Sequence, residues 1–303
     1  MLQSFENHHN PAAMPGRLAA LRAELARQGL DGFIVPRQDE FQGEYVAGYA
    51  ERLRWLTGFA GSWGVAVILA ERAAIFVDGR YTLQVRQEVD GTLFAPQHLI
   101  DEPPPEWVEK NLREGQVLGY EPWLLTPDQV SKFEAACAKA NASLKAVEHN
   151  PIDAVWTDRP PRPHGAIEVQ PTQFAGRTPA EKLGEVSAVL AGLKVDAALL
   201  TLPDSIAWVF NIRGSDVAYT PTVLTQAILY RDGKADLFAD AARFSDDGID
   251  HLAKIAAVRP PDELDDALSA LGARKARVLV DPSSVPERLR SLLQTHGAEI
   301  VAG

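Results

Sequence analysis

The sequence predicts an α/β protein built from two copies of one domain, each a mixed sheet covered by helices. Three observations carry that prediction: the length, a proline-rich break near the middle, and one pattern that returns on both sides of the break. At 303 residues the chain exceeds the roughly 100–200 residues that a single core commonly serves, so two cores are expected. Apolar residues at 46% and charged residues at 23% place it among folded chains, away from the low-hydrophobicity regime of disorder. The segment WTDRPPRP, 156–163, holds three prolines in four positions, and each fixes φ and disfavours helix at the residue before it. It reads as a stiff linker within 156–175, dividing a domain over 1–160 from one over 161–303.

The elements follow in order. RLAALRAELARQGLDG spaces Leu18, Leu21, Leu25 and Leu30 as one helix face, with Gly29 and Gly32 as stop signals. GFIVP is a short strand closed by Pro36, and RQDEFQGEYVAGYAERLRWL is a polar and aromatic loop leading into TGFAGSWG. VAVILAERAAIFVDGRYTLQVRQEV predicts two strands joined at Glu71–Arg72, then a helix starting near Arg80. GQVLGYE is a strand, TPDQVSKFEAACAKA a helix with Thr126 as N-cap and Pro127 at its first position, and SLKAVE a closing strand.

Beyond the linker the same order returns. Asp196 to Asp204 answers Asp31 to Asp39, the two aspartates standing eight positions apart in each copy. Ile206–Gly214 answers Leu53–Gly58 with Trp208 against Trp55, and LTQAILYRDGKADLFAD answers WGVAVILAERAAIFVD, so Asp240 matches Asp78. Duplication of one α/β domain accounts for the match. Because each copy mixes a hairpin with strands separated by helices, the sheets should be mixed.

Composition also removes whole classes of function. A formal charge of −11 without any offsetting Lys/Arg run opposes a phosphate backbone, so no nucleic-acid partner is expected. No apolar stretch approaches the roughly 20 residues that cross a bilayer, the longest being pieces such as VAVILA, so no membrane partner is expected either. The leader MLQSFENHHNPAAMPG lacks the basic start and apolar core of a secretory signal, which points to the cytoplasm. That leader, 1–16, reads as a mobile arm with His8 and His9 as solvated residues. The single cysteine, Cys137, lies on a helix among small residues and reads as a buried structural thiol.

Candidate chemistry is sparse. Asp31, Asp39 and Asp78, with partners Asp196, Asp204 and Asp240, are placed like turn formers more than Mg²⁺ ligands. Gly58, Gly61 and Gly64 form G-x-x-G-x-x-G, but a strand follows instead of a helix N-terminus, so an aromatic turn is the better reading than a phosphate loop. His98, His149, His164, His251 and His296 show no metal-ligand spacing, and Ser62 is in no nucleophile elbow. No catalytic or metal-ligating residue is predicted. What remains is the basic and aromatic content of the repeated turns: Arg54, Trp55, Phe59 and Trp63, then Trp208, Asn211, Arg213 and Asp216. Arg beside exposed aromatics suits a peptide carboxylate or a subunit surface, whereas Trp55 and Trp208 read better as core residues locking their turns.

These stretches carry a family resemblance. DGFIVPRQDEFQGEYVAGYAERLRWLTGFAGSWGVAVIL, FVDGRYTLQV, VWTDRPPRP and DSIAWVFNIRGSDVAYTPTVLTQAIL closely resemble the N-terminal and middle domains of three-domain, eukaryotic-cytosolic-type Xaa-Pro aminopeptidases (aminopeptidase P), over nearly the whole chain. The resemblance implies two duplicated creatinase/prolidase N-terminal-type domains with a ribonuclease-H-like α/β arrangement. In the family a pita-bread catalytic domain follows, with two divalent metal ions, usually manganese, held by two aspartates, a histidine and two glutamates. Nothing here matches that ligand set, so the chain is expected to be the non-catalytic front portion of a metallopeptidase, inactive alone. In the whole enzyme a metal-bridging hydroxide would release the residue preceding proline.

The resemblance further implies a homodimer, contact with the chain's own pita-bread domain, and peptides with proline at the second position as substrates. It assigns the front domains to dimerisation and active-site access, and by analogy places Arg54, Trp55, Trp63 and Arg213 at a rim or interface. A stand-alone creatinase-N-like binding or regulatory protein without peptidase activity is the alternative. A ribonuclease-H-like nuclease rests on fold analogy alone, and the acidic charge opposes it.

Overall fold

The structure is a computed structural model that describes residues 10–303. The chain forms two compact units. One comprises the chain up to Gln38 with Gly48–Leu125 and Gln129–Pro161; the other comprises Asp39–Ala47, Thr126–Asp128 and Arg162–Gly303. The main division thus falls inside the proline-rich segment, while two short excursions make neither unit one continuous run.

In the first unit six strands form one sheet: β1 (Gly32–Pro36), β2 (Val65–Leu69), β3 (Ala73–Val77), β4 (Ala95–His98), β5 (Val117–Tyr120) and β6 (Ser143–Ala146), in the order β4-β3-β2-β1-β5-β6. β1 runs antiparallel to β2, and β2 to β3, as the hairpin pattern requires; the other neighbours are parallel. Alternation along β1 decides the two faces. Phe33 and Val35 join Leu18, Leu21 and Leu25 of the helix Met14–Arg27, whereas Ile34 faces Trp107, Val108, Phe133 and Cys137 of the helices Pro104–Asn111 and Pro127–Lys139. Burial pushes the Cys137 thiol up to about 11, so it stays protonated and inert near neutral pH.

Several local expectations need correcting. The leader gives way before Gly16, because a 3-10 turn at Pro11–Ala13 feeds a helix that begins at Met14, whose side chain is buried. His8 and His9 lie outside the described residues. Gly29 does stop the helix, at φ +68°, but Gly32 opens β1, where a Cβ would sit 2.5 Å from Leu69 Cδ2 and 2.7 Å from the Ile68 carbonyl. The loop expected after β1 contains a helix, Arg52–Thr57, closed by Gly58 at φ +82°. After β3 comes a 3-10 turn, Gly79–Tyr81, and the helix itself starts at Gln84.

The second unit adds β7 (Glu168–Val169), β8 (Ala197–Leu200), β9 (Ile212–Arg213), β10 (Gln226–Tyr230), β11 (Ala235–Phe238), β12 (Ala257–Arg259), β13 (Arg277–Val280) and β14 (Glu299–Ala302). Its sheet has the order β12-β11-β10-β8-β13-β14, with β8, β10 and β11 antiparallel and the flanking pairs parallel. That is the topology of the first sheet position by position, which confirms the duplication. β7 and β9 pair separately.

The helix Pro179–Leu193 starts on a capping box. Thr178 Oγ1 accepts the Glu181 N–H, and Glu181 Oε2 accepts the Thr178 N–H at 2.8 Å, with Pro179 at the first helical position. Its Leu183 packs with Ile206, Val209 and Phe210 of the helix Pro203–Phe210 against Ala227, Leu229 and Leu237. Asp204 lies in the first turn of that helix, so its match to Asp39, a loop residue, fails.

Candidate functional site

In the first unit the predicted residues collect on the turn between the helix Arg52–Thr57 and β2. Phe59 is fully buried, and a Cβ on Gly61 would lie 2.3 Å from its Cζ; Gly64 approaches the same ring. The glycine triplet therefore wraps an aromatic ring, as expected of an aromatic turn. Arg37 fixes the wrap from the end of β1: its N–H donates to the Gly64 carbonyl at 2.9 Å, and its Nε to the Gly61 carbonyl at 3.1 Å. Its Nη2 donates to Glu51 Oε1 at 3.2 Å, and Glu51 Oε2 in turn stands 3.6 Å from Arg54 Nη1. Sequence reasoning passed over Arg37 because its role depends on a turn 24 residues away.

Arg54 and Trp63 reach the surface, each half-buried; Trp55 does not. Trp55 stacks on Trp156 at 5.4 Å, with the Arg17 guanidinium 4.9 Å from its ring and donating to its carbonyl at 2.6 Å. Trp55 is buried in the core of the first unit, as the core reading expects. Beside Trp63, the Ser62 hydroxyl hydrogen-bonds the Tyr81 hydroxyl at 2.8 Å.

The turn of the second unit is built differently. Trp208 is half exposed, contrary to expectation, and its ring lies 4.4 Å from the Lys182 ammonium. Lys182 is buried and donates to the Trp208 carbonyl at 2.7 Å and to Asn211 Oδ1 at 2.6 Å. Asn211, at φ +51°, ends the helix, and the lysine charge meets the last carbonyls, where the helix dipole favours a cation. Burial, with Arg177 nearby, lowers the Lys182 pKa. A lysine on the same helix side as Val186 was the available signal. Arg213 is exposed on β9, its backbone opposite Glu168. Asp216 pairs with Arg243 at 2.6 and 2.7 Å, both side chains buried.

The aspartates cap backbone. Asp31 Oδ2 accepts the Val117 N–H at 2.8 Å while the Asp31 N–H donates to the Val117 carbonyl; Asp196 does the same with Arg277. Asp78 Oδ1 accepts the Arg80 N–H, Asp240 Oδ1 the Ala242 N–H, and Asp39 Oδ1 the Phe41 N–H. The Arg80 guanidinium also holds Asp78 below the usual carboxylate range. Of the histidines, His98 meets Asp101, His164 meets Asp240, and His251 and His296 bond backbone carbonyls. Among the described residues no group of three or more His, Cys, Asp or Glu is placed to hold a metal ion. At Asp31, Asp39, Asp78, Asp196 and Asp240 one carboxylate oxygen serves as a backbone acceptor.

Comparison with known proteins agrees with the duplicated fold. Two models described as "Creatinase/Prolidase N-terminal domain" match residues 17–155 and 158–302. A probable Xaa-Pro aminopeptidase P from Paracoccidioides brasiliensis is 32% identical over 275 residues, covering 90% of this chain but 44% of the relative. Aminopeptidase P1 from Lotus japonicus is 35% identical over 241 residues, covering 79% of this chain and 36% of the relative. The crystal structure of an X-prolyl aminopeptidase from Caenorhabditis elegans, a cytosolic enzyme with a di-nuclear active site, superposes with a TM-score of 0.87 at 25% identity. It covers 96% of this chain and 50% of that one. The chain thus spans about half the length, or less, of the relatives it matches. With its two units built on one topology and each matched by a model of the same description, the chain belongs to the creatinase/prolidase N-terminal domain family, as the tandem pair found in the N-terminal portion of Xaa-Pro aminopeptidases P.

Proposed function

We propose that this chain is the non-catalytic front portion of a cytoplasmic, metal-dependent Xaa-Pro aminopeptidase that removes the residue preceding proline. Its two units would serve dimerisation and access to an active site held elsewhere. One observation carries the reading: two creatinase/prolidase N-terminal matches fill the chain, while Asp31, Asp196 and Asp78, the candidate acids at the strand ends, each accept a backbone N–H. In that setting the half-buried Arg54 and Trp63 and the exposed Arg213 offer rim or interface positions, a cation beside an aromatic suiting a peptide carboxylate or a subunit surface. Any pair of divalent ions, manganese by family, would be bound by polypeptide outside these residues.

The coding sequence beyond Gly303 supplies the test. A frame that continues into Asp, His and Glu ligands, and whose full product releases the first residue of Xaa-Pro peptides with Mn²⁺, supports the proposal. A stop codon after Gly303 contradicts it and favours a stand-alone binding protein.

A further inference from the structure

Loop 214–224 of the second unit stands on an unusually well-fixed base. Asp216 and Arg243 form their buried two-oxygen ion pair there, and Asp216 Oδ2 also accepts the Leu224 N–H at 2.8 Å, so one carboxylate ties the loop's start to its end. Arg243 Nε donates to the Gly165 carbonyl at 2.9 Å. At Gly214 a Cβ would lie 2.8 Å from Val223 Cγ2 and 3.1 Å from the Thr222 carbonyl, so the two arms of the loop touch. Backbone bonds from Thr220 to Val217 and from Thr222 to Thr220 close the tip.

What this base holds out is apolar. Residues 217–222 carry no charge, Ala218 and Pro221 are exposed, and Tyr219 is fully exposed. Tyr219 also has φ +60°, a left-handed conformation that a bulky residue rarely adopts and that persists only where the surroundings impose it. The backbone that carries this ring is thus already ordered before any docking, which lowers the entropy lost there.

We propose that the tip of loop 214–224, led by Tyr219, is a docking knob that seats in an apolar pocket of the polypeptide continuing from this chain in its full-length form. The inference rests on the proposed function, in which such a continuation exists. Size selects the occupant. One tyrosine buries about 150–250 Å², whereas a stable interface between separate molecules needs about 800 Å² from each partner. A knob this small does not hold a second copy or a foreign protein by itself. It contributes where covalent linkage already supplies the effective concentration.

Hydroxyl-radical footprinting of Tyr219, in this chain and in the protein extended along its own reading frame, tests the knob. Tyr219 is expected among the fastest-modified tyrosines of this chain, and to slow about tenfold or more in the extended protein. Tyr219→Gly, which relieves the left-handed φ, should leave the Tm of this chain unchanged or raised and lower that of the extended protein. Equal modification rates in the two proteins overturn the knob even if the extended protein is an active peptidase, a result that leaves the proposed function standing. Protection that appears in this chain alone as its concentration rises assigns the tip to a second copy and also overturns it. A frame that stops at Gly303 overturns both.

Discussion

At the scale of single residues, the carboxylates show how a candidate ligand is told apart from a structural acceptor. Asp31 and Asp196 each receive the first N–H of the neighbouring parallel strand and return their own N–H to the same residue. Asp31→Ala and Asp196→Ala should therefore each lower stability by about 1–2 kcal/mol, the penalty of an abandoned N–H. Urea unfolding measures this, and neither variant should change the effect of Mg²⁺ or Mn²⁺ on the transition; a metal-dependent difference contradicts the capping role. Lys182 makes the complementary case. Its folded pKa is lowered by burial, so the unfolded chain binds more protons between that depressed value and the ordinary lysine value of about 10.4. Its contribution to stability must then rise with pH through that window, and the gap between wild type and Lys182→Met should widen from pH 8 to pH 10. A gap that narrows refutes the assignment. The acids were visible in the sequence as turn residues, but their partners, 86 and 81 residues away, were not.

Elements were legible wherever periodicity was uniform. The hairpin of β2 and β3 and its copy in β10 and β11 stand where the apolar runs placed them, and the helix Met14–Arg27 buries Leu18, Leu21 and Leu25, whereas Leu30 is buried beyond the helix end. Short elements bearing polar residues stayed hidden. The helix Arg52–Thr57 reads as loop because its inward Arg52 looks like a surface residue until it is seen paired with Asp153 at 2.7 and 2.9 Å. Pro104 and Pro105 masked a helix they in fact start, since a missing N–H is harmless in the first turn. The equation of Trp55 with Trp208 failed for a related reason: one ring is buried beside Trp156 and Arg17, the other is half exposed over Lys182. Glycines give the clearest element-level test. Gly61→Ala pushes a methyl into Phe59 and should cost about 1–3 kcal/mol. Gly184→Ala and Gly192→Ala, in open space on the helix Pro179–Leu193, should stabilise by about 0.5–1 kcal/mol. Thermal denaturation of the three variants distinguishes them, and a neutral Gly61→Ala contradicts the wrapped-ring turn.

For the whole molecule, the duplicated topology and the family follow from the sequence because a repeat is read from order alone, without any side-chain contact. Function is less accessible, since the chemistry expected of the relatives has no side-chain constellation among the described residues. The central claim is that these two units carry no peptidase of their own. Release of the first residue from an Xaa-Pro peptide by this chain alone, assayed with added Mn²⁺, tests it most directly. The account predicts no turnover above the uncatalysed rate and no saturable Mn²⁺ binding. Sustained turnover that depends on Mn²⁺ and follows the concentration of this chain would contradict it.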